Sequence, residues 1–278
     1  MERYDILGIP INDVTITELR DLLQQWVNSN DQAAPCKMVV TPNPEMILAS
    51  RHDAAFRDIL KQADLSLPDG VGLRFALAAL NEHRLKNRHT GVEALMILAE
   101  LCHQANKRLV LLGGLPKKTN RAAELLKQRF PGLEVTTFDP GIIDSVDPRL
   151  SEATLAGLAR LTPHVVGVAL GHGKQEKIMS ILQQKMPGIK LLLGMGGASD
   201  YVAMAAKRAP LRWQRWGIEW LWRLLHEPWR YKRIYRAVIL FPLVVAWTTL
   251  RQGRLLSALR NVYQEICKHY RENNSSSQ

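Results

Sequence analysis

The sequence predicts an α/β fold in which a mainly parallel sheet is layered between helices. Two observations carry this. Short runs rich in Val, Ile, Leu and Thr alternate with longer stretches of helical periodicity through the first 195 or so residues, the pattern of repeated strand–helix–strand units. Small polar or glycine-rich stretches then follow the apolar runs, at the strand ends where open α/β sheets bind ligands.

The strand candidates, in order, are "CKMVVT" (36–41), "RLVLLG" (108–113), "LEVTTF" (133–138), "HVVGVAL" (164–170) and "IKLLLGM" (189–195), with a shorter apolar stretch before Asp69. The helix candidates between them include "GVEALMILAELCHQAN" (91–106), "TNRAAELLKQRF" (119–130) and "KQEKIMSILQQKM" (174–186). No internal repeat is present, and the only low-complexity stretch is the terminal "NNSSSQ", expected to be disordered.

At 278 residues the chain has room for one large core, or for one domain and an appendage. The net charge is +11, but it is unevenly placed. Residues 207–278 hold 14 Lys and Arg against 4 Asp and Glu, whereas residues 1–206 are almost neutral. Six of the seven Trp also lie beyond position 210. The expected organisation is a body over 1–206, a basic Trp-rich appendage over 207–250 and a basic helix with a disordered tail over 251–278. Cys36, Cys102 and Cys267 are scattered, with neither disulfide nor metal-ligand spacing, and fit a reducing compartment. The opening "MERYDILGIPINDVT" has no long apolar stretch and is not expected to be a signal peptide.

The candidate site residues follow the strands. In "TPNPE" (41–45), Thr41 and Asn43 read equally as turn and helix-capping residues or as ligand contacts. In "ADLSLPDGVGLRFA" (63–76), Asp69 precedes Gly70 and Gly72; it reads as a general base or as a helix cap, and the glycines permit close approach of a substrate. Gly113 and Gly114 in "LLGGLP", and Gly196 and Gly197 in "GMGGAS", form turns whose N–H groups can hold a phosphate. Neither is a complete dinucleotide fingerprint or a P-loop. "GHGKQEKI" (171–178) places Gln175 and Glu176 after another strand, and His172 there reads most simply as a loop histidine. No metal motif is present, and "DSVD" (144–147) reads as a loop with capping carboxylates.

Taken in order, "ILGIPIND", "TPNPEMI", "ADLSLPDGVG", "RHTGVE", "LLGG", "GHGKQE", "GMGGASD" and "KRAP…GIEWLWRLLHEPWRYKR" resemble the WecG/TagA/CpsF family of bacterial glycosyltransferases over roughly residues 5–236. The resemblance implies a Rossmann-like body and a C-terminal helical membrane-binding appendage. It implies transfer of a sugar of the N-acetylmannosamine type, or a related hexose, from a UDP-sugar to a polyprenyl-diphosphate-linked acceptor with inversion, and no cofactor or catalytic metal. It places the base on Asp69, donor-pocket contacts on Thr41, Asn43 and Gln175, and an arginine on Arg88. Arg223, Arg230 and Arg233 fall on the positions that engage lipid diphosphate. The chain departs from the family pattern at Ser199, before Asp200, and at Glu93, both in regions expected to contact the donor.

The tail fits a membrane surface. Trp213, Trp216 and Trp220 share a helical face, and Trp with Lys and Arg favours the lipid–water interface. "AVILFPLVVAWTTL" (237–250) carries no charge over 14 residues but is interrupted by Pro242, so it is expected to lie in the interface or re-enter shallowly rather than span. Packing on the body or in a dimer seam is the plainer alternative. Nucleic acid is not the expected partner, because an apolar run has no place in a nucleic-acid groove. The expectation is thus a peripheral glycosyltransferase on the cytoplasmic face of the bacterial inner membrane, with homo-oligomerisation left open. The alternatives are a non-catalytic membrane-surface or nucleic-acid-binding adaptor and, with no complete glycine fingerprint to support it, a nicotinamide-dependent oxidoreductase.

Overall fold

The computed structural model describes residues 1–29, 31, 34–81, 83–144, 146–196, 213, 219–226 and 228–275. The chain opens with an antiparallel hairpin, β1 (Glu2–Ile6) and β2 (Ile9–Asp13). Its two-residue turn puts Leu7 at φ 55 and Gly8 at φ 88, the doubly left-handed backbone that matches the twist of a tight hairpin. Helix α1 (Ile16–Val27) starts at Thr15, whose hydroxyl accepts from the Glu18 amide while Glu18 accepts from the Thr15 amide. This reciprocal cap satisfies donors at the helix start.

The central sheet contains β3 (Lys37–Val40), β4 (Leu65–Ser66), β5 (Leu109–Gly113), β6 (Val135–Phe138), β7 (Val165–Ala169) and β8 (Leu191–Gly194). Its order is β4-β3-β8-β7-β5-β6, and every pairing is parallel. The helices between strands are α2 (Pro44–Ser50), α3 (Ala54–Gln62), α4 (Val71–Asn81), α5 (Gly91–Gln104), α6 (Pro116–Arg129), α7 (Glu152–Arg160) and α8 (Lys174–Lys185). Both sheet faces are buried, so the strands read as continuous apolar runs. Val39, Leu109, Leu111, Leu191 and Leu193 face a layer formed by α1, α5 and α6. Met38, Val40, Val110, Leu112 and Leu192 face the other layer, with α3, α4, α7 and α8.

The connections after β5 and β7 run in opposite directions along the sheet, through α6 on one face and α8 on the other. The carboxyl ends of these two neighbouring strands therefore form a topological switch point, where open α/β sheets leave a crevice. The crevice floor is tight. Gly113 has φ +80, and a Cβ there would come within 2.5 Å of the Leu170 side chain.

The tail begins with α9 (Glu219–His226) and a single 3₁₀ turn, Pro228–Arg230. It continues as α10 (Tyr231–Arg251) and α11 (Leu255–Ser275). Pro242 does not interrupt α10, contrary to the sequence expectation. The preceding turn, Arg236–Leu240, is π-helical, and the Phe241 amide bonds to the Arg236 carbonyl. A wider turn relieves the clash between a proline ring and the carbonyl four residues back. The result is a 21-residue helix long and apolar enough to cross a membrane by length and composition. Helix α11 likewise continues into the stretch expected to be disordered, as far as Ser275, since extending a formed helix costs far less than starting one.

The described helices beyond the change of charge pack against the body. Phe241 and Val245 on α10, and Ala258 on α11, lie in the same buried cluster as Leu73 and Leu77 of α4. Thr249 continues the buried stripe of α10, while Leu243, Trp247 and Leu250 on its other side are exposed. On α11 the buried Glu265 binds two guanidinium groups, those of Arg74 on α4 and of Arg84 in the loop after it. Truncation after Ala206 would strip this face rather than release an independent module.

A matched pair of substitutions checks this shared core. Phe241→Ala should cost about 3–5 kcal/mol of folding stability, the usual range for emptying a core aromatic site. Leu243→Ala, two residues away, should stay within about 0.5 kcal/mol. Urea unfolding measures both, and equal losses would contradict the packing.

Candidate active site

The loops at the carboxyl ends of β3, β4 and β8 are bound to one another. The Thr41 hydroxyl, directly after β3, donates to the Gly194 carbonyl at the end of β8 at 2.9 Å. The Asp69 amide, after β4, donates to the Pro42 carbonyl at 2.8 Å. Glycines after Asp69 permit this approach: Gly70 has φ +93, and a Cβ on Gly72 would lie 3.0 Å from the Pro44 ring. Asn43 caps α2, its side-chain oxygen accepting from the Met46 amide at 3.0 Å. Pro44 at the first helical turn has no N–H to leave unsatisfied. Thr41, Asn43 and Asp69 are thus brought together. Thr41 is buried and Asp69 half-buried.

Gln175 stands on the neighbouring strand connection. It is buried at the start of α8, and its side-chain oxygen accepts from the Gly196 amide at 3.0 Å while its nitrogen donates to Glu176. Glu176 therefore fixes which way the Gln175 amide points. The other Glu176 oxygen accepts from the Gly173 amide at 2.7 Å. Glu176 is fully buried, and burial pushes its pKa up to about 7 despite these hydrogen bonds. Among the described residues, no cation offsets the desolvation of its charged form.

Arg88 is exposed, in the loop before α5. That loop is held from two sides. Asp13 accepts from the Lys86 and Asn87 amides at 2.8 and 2.9 Å. His89 bonds the Val14 carbonyl at 2.8 Å and Glu93 at 3.1 Å. With an acceptor at each ring nitrogen, led by Glu93, the His89 pKa is raised. Glu93 is lowered, chiefly by His89 and with help from Arg88. Thr90 caps α5, and Gly91 lies where a Cβ would come within 3.3 Å of the Met195 carbonyl, so the start of α5 abuts the end of β8. Gly113 and Gly114 both have positive φ, but β5 is three strands from β3. At roughly 4.8 Å per strand that is about 14 Å, so only an extended ligand reaches both.

The tail meets the site at one buried carboxylate. Glu45, next after Pro44, binds Nε of Arg233 at 2.8 Å. His172 lies 3.9 Å from its other oxygen. Burial lowers the His172 pKa, as do Arg233 and Arg236, while Glu45 opposes the shift. Arg223 and Arg230 lie on described backbone, but their side chains fall outside the described residues, as do Gly197, Ser199 and Asp200 entirely. Sequence reasoning had not singled out Glu45 or Glu176 as site residues. The available signal was a carboxylate directly beside a residue already of interest, next to Pro44 in one case and Gln175 in the other.

A parallel sheet covered on both faces, with polar loops that converge at its carboxyl edge, gives this chain a Rossmann-like α/β fold. The chain belongs to the Glycosyl transferase WecG/TagA/CpsF family, whose model matches residues 4–255. Among similar proteins are N-acetylglucosaminyldiphosphoundecaprenol N-acetyl-beta-D-mannosaminyltransferases. The Bacillus subtilis (strain 168) protein is 28% identical over 84% of this chain and 88% of its own length. The Bacillus spizizenii (strain ATCC 23059 / NRRL B-14472 / W23) protein is 29% identical over 70% and 74%. The Staphylococcus aureus (strain MRSA252) protein is 27% identical over 84% and 87%.

The environment of Glu176 gives a pH signature. Between its ordinary value of 4.5 and about 7, the folded protein holds a proton that the unfolded chain has released. This contribution is complete below 4.5 and is lost as pH rises through about 7. Glu176→Gln removes it, so the stability of the variant relative to the parent should rise across that window in urea titrations. A pH-independent difference would rule out the buried proton.

Proposed function

We propose that this glycosyltransferase moves N-acetylmannosamine from a UDP-linked donor to N-acetylglucosamine carried on polyprenyl diphosphate, in cell-surface polysaccharide synthesis. The acceptor and the transferred sugar are those named for the relatives above. The observation that carries the reading is the meeting of Thr41, Asn43 and Asp69 at the carboxyl ends of β3 and β4, with Arg233 joined to the same loop through Glu45.

The reaction is a single displacement. The acceptor hydroxyl forms a bond to the anomeric carbon as the bond from that carbon to the diphosphate oxygen breaks. Asp69 takes the hydroxyl proton, and the nucleoside diphosphate leaves with the bonding electrons. A β product from an α-linked nucleotide donor is the stereochemistry this step gives. Negative charge grows on the leaving diphosphate and calls for preorganised donors. Arg88, the turn at Gly113–Gly114 and the residues Gly196 and Gly197 are the candidates. Gln175 and Asn43 orient the donor. The Asn43 oxygen is occupied in capping α2, so its amide N–H groups make that contact.

The acceptor is membrane-borne, and α10 supports docking from the cytoplasmic face. Its exposed side carries Leu243, Trp247 and Leu250, and Arg251 lies over the Trp247 ring at 5.4 Å. Aromatic and basic side chains together suit the headgroup region. The opposite stripe is in the protein core, so α10 lies along the interface with its body side covered. Arg223, Arg230 and Arg233 engage the lipid diphosphate.

Asp69→Asn should lower turnover by about 10²–10⁴-fold, the usual range for removing a general base. UDP binding should be unchanged. The assay is transfer from UDP-N-acetylmannosamine to a short-chain prenyl-diphosphate-linked N-acetylglucosamine, with the product identified by mass spectrometry. Near-parental turnover in the folded variant would remove Asp69 from the mechanism.

Replacing both exposed residues, Leu243→Glu with Trp247→Glu, should abolish co-sedimentation with vesicles containing anionic lipid while leaving UDP binding intact. Undiminished co-sedimentation would exclude this face of α10 as the docking surface.

A further inference from the structure

We propose that Glu45 is a positioning residue that fixes Arg233 in the frame of the catalytic loop, so that the acceptor diphosphate and the base Asp69 are held in register. This rests on the acceptor chemistry proposed above and deepens it by naming the group that sets the acceptor cation.

The carboxylate of Glu45 is buried, with 6% of its side chain exposed, whereas half of the Arg233 side chain is exposed. A buried carboxylate requires a hydrogen-bonded partner. His172 does not fill that role. At 3.9 Å it is beyond hydrogen-bond range, and its lowered pKa favours the neutral ring. Arg233 remains, and it binds through Nε. Among the described residues, the terminal nitrogens of its guanidinium have no hydrogen-bonded partner. Those nitrogens form the fork that grips paired phosphate oxygens.

The placement matters as much as the charge. Glu45 follows Asn43 and Pro44 in the loop whose Pro42 carbonyl receives the Asp69 amide at 2.8 Å. The path from the base to the acceptor cation is therefore short: Asp69, Pro42, the start of α2, Glu45, Arg233. Arg233 itself sits on α10, which is fixed to the body by Phe241 and Val245. A lipid diphosphate held on Arg233 is thereby referenced to Asp69 through the protein interior. Small errors in such alignment lower rates steeply.

The test uses the full chain and three variants: Glu45→Gln, Arg233→Lys and the two combined. Binding of a short-chain prenyl-diphosphate-linked N-acetylglucosamine is read by tryptophan fluorescence, UDP binding by calorimetry, and acceptor KM and kcat by product mass spectrometry. Glu45→Gln should weaken acceptor binding and raise acceptor KM about tenfold, the scale of one charge-assisted hydrogen bond. UDP affinity should stay within about twofold, and adding Arg233→Lys to Glu45→Gln should cause little further loss, because the two groups act as a unit. Equal weakening of UDP and acceptor would overturn the proposal, as would losses that multiply in the combined variant, or a parent that does not bind the acceptor probe. Should Glu45→Gln fail to fold, Glu45→Asp keeps the charge on a shorter arm; it should retain acceptor affinity with reduced kcat, and parental kcat would overturn the positioning role. A parent that binds the acceptor probe but does not transfer from UDP-N-acetylmannosamine would instead refute the donor assignment and leave the Glu45 result standing.

Discussion

Helix α4 is apolar on nearly every side, with Leu73 and Ala76 through Leu80 all buried. A helix of this kind must be covered all round. One side meets the sheet layer and the N-terminal hairpin, whose Ile6, Ile9 and Ile11 share its cluster. The side facing away from the body is left for α10 and α11, and those helices supply Phe241, Val245 and Ala258 to it. The tail is therefore recruited by the core. Its basic charge and its exposed aromatic face are consequences carried on helices whose inner stripes are already committed.

That commitment decides where the arginines of the tail can go. With α10 fixed along α4, its first turns pass the start of α2, and Arg233 reaches Glu45. The parallel sheet does the complementary part. All its strands point the same way, so the loops after β3, β4, β7 and β8 emerge at one edge. There Thr41, Pro42, Gln175 and Asp69 find backbone partners on neighbouring loops. The site is thus built from two inputs: the strand ends and a helix pinned from outside.

The strands were legible because burial on both faces leaves each one an unbroken apolar run; all five longer runs are strands in the structure. The hairpin was not, since its turn is Leu7-Gly8 rather than Asn-Gly, and Pro10 sits inside its second strand. The continuity of α10 through Pro242 was hidden because a π turn leaves no mark in composition. Of the site, the strand-end positions of Thr41, Asn43, Asp69 and Gln175 could be read from the residues that precede them. The partnerships of Glu45 and Glu176 could not. Arg233 lies 188 positions from Glu45 in the chain, and whether a carboxylate is buried depends on contacts that no local pattern encodes.

Three carboxylates near this edge illustrate how environment assigns chemistry to one functional group. Glu176 is fully buried, so its proton stays on to about 7 and it serves as an anchor for Gln175 and Gly173. Glu45 is almost as buried but has a guanidinium at 2.8 Å, which keeps a charge-assisted bond between body and tail. Asp69 is half-buried, on a turn whose glycines let the chain pack close against Pro44. A general base must keep contact with the substrate and shed its proton afterwards, which disfavours a carboxylate sealed in the interior. Of these three, Asp69 is the least enclosed, in keeping with the base role proposed for it, and the other two hold in place the groups around it.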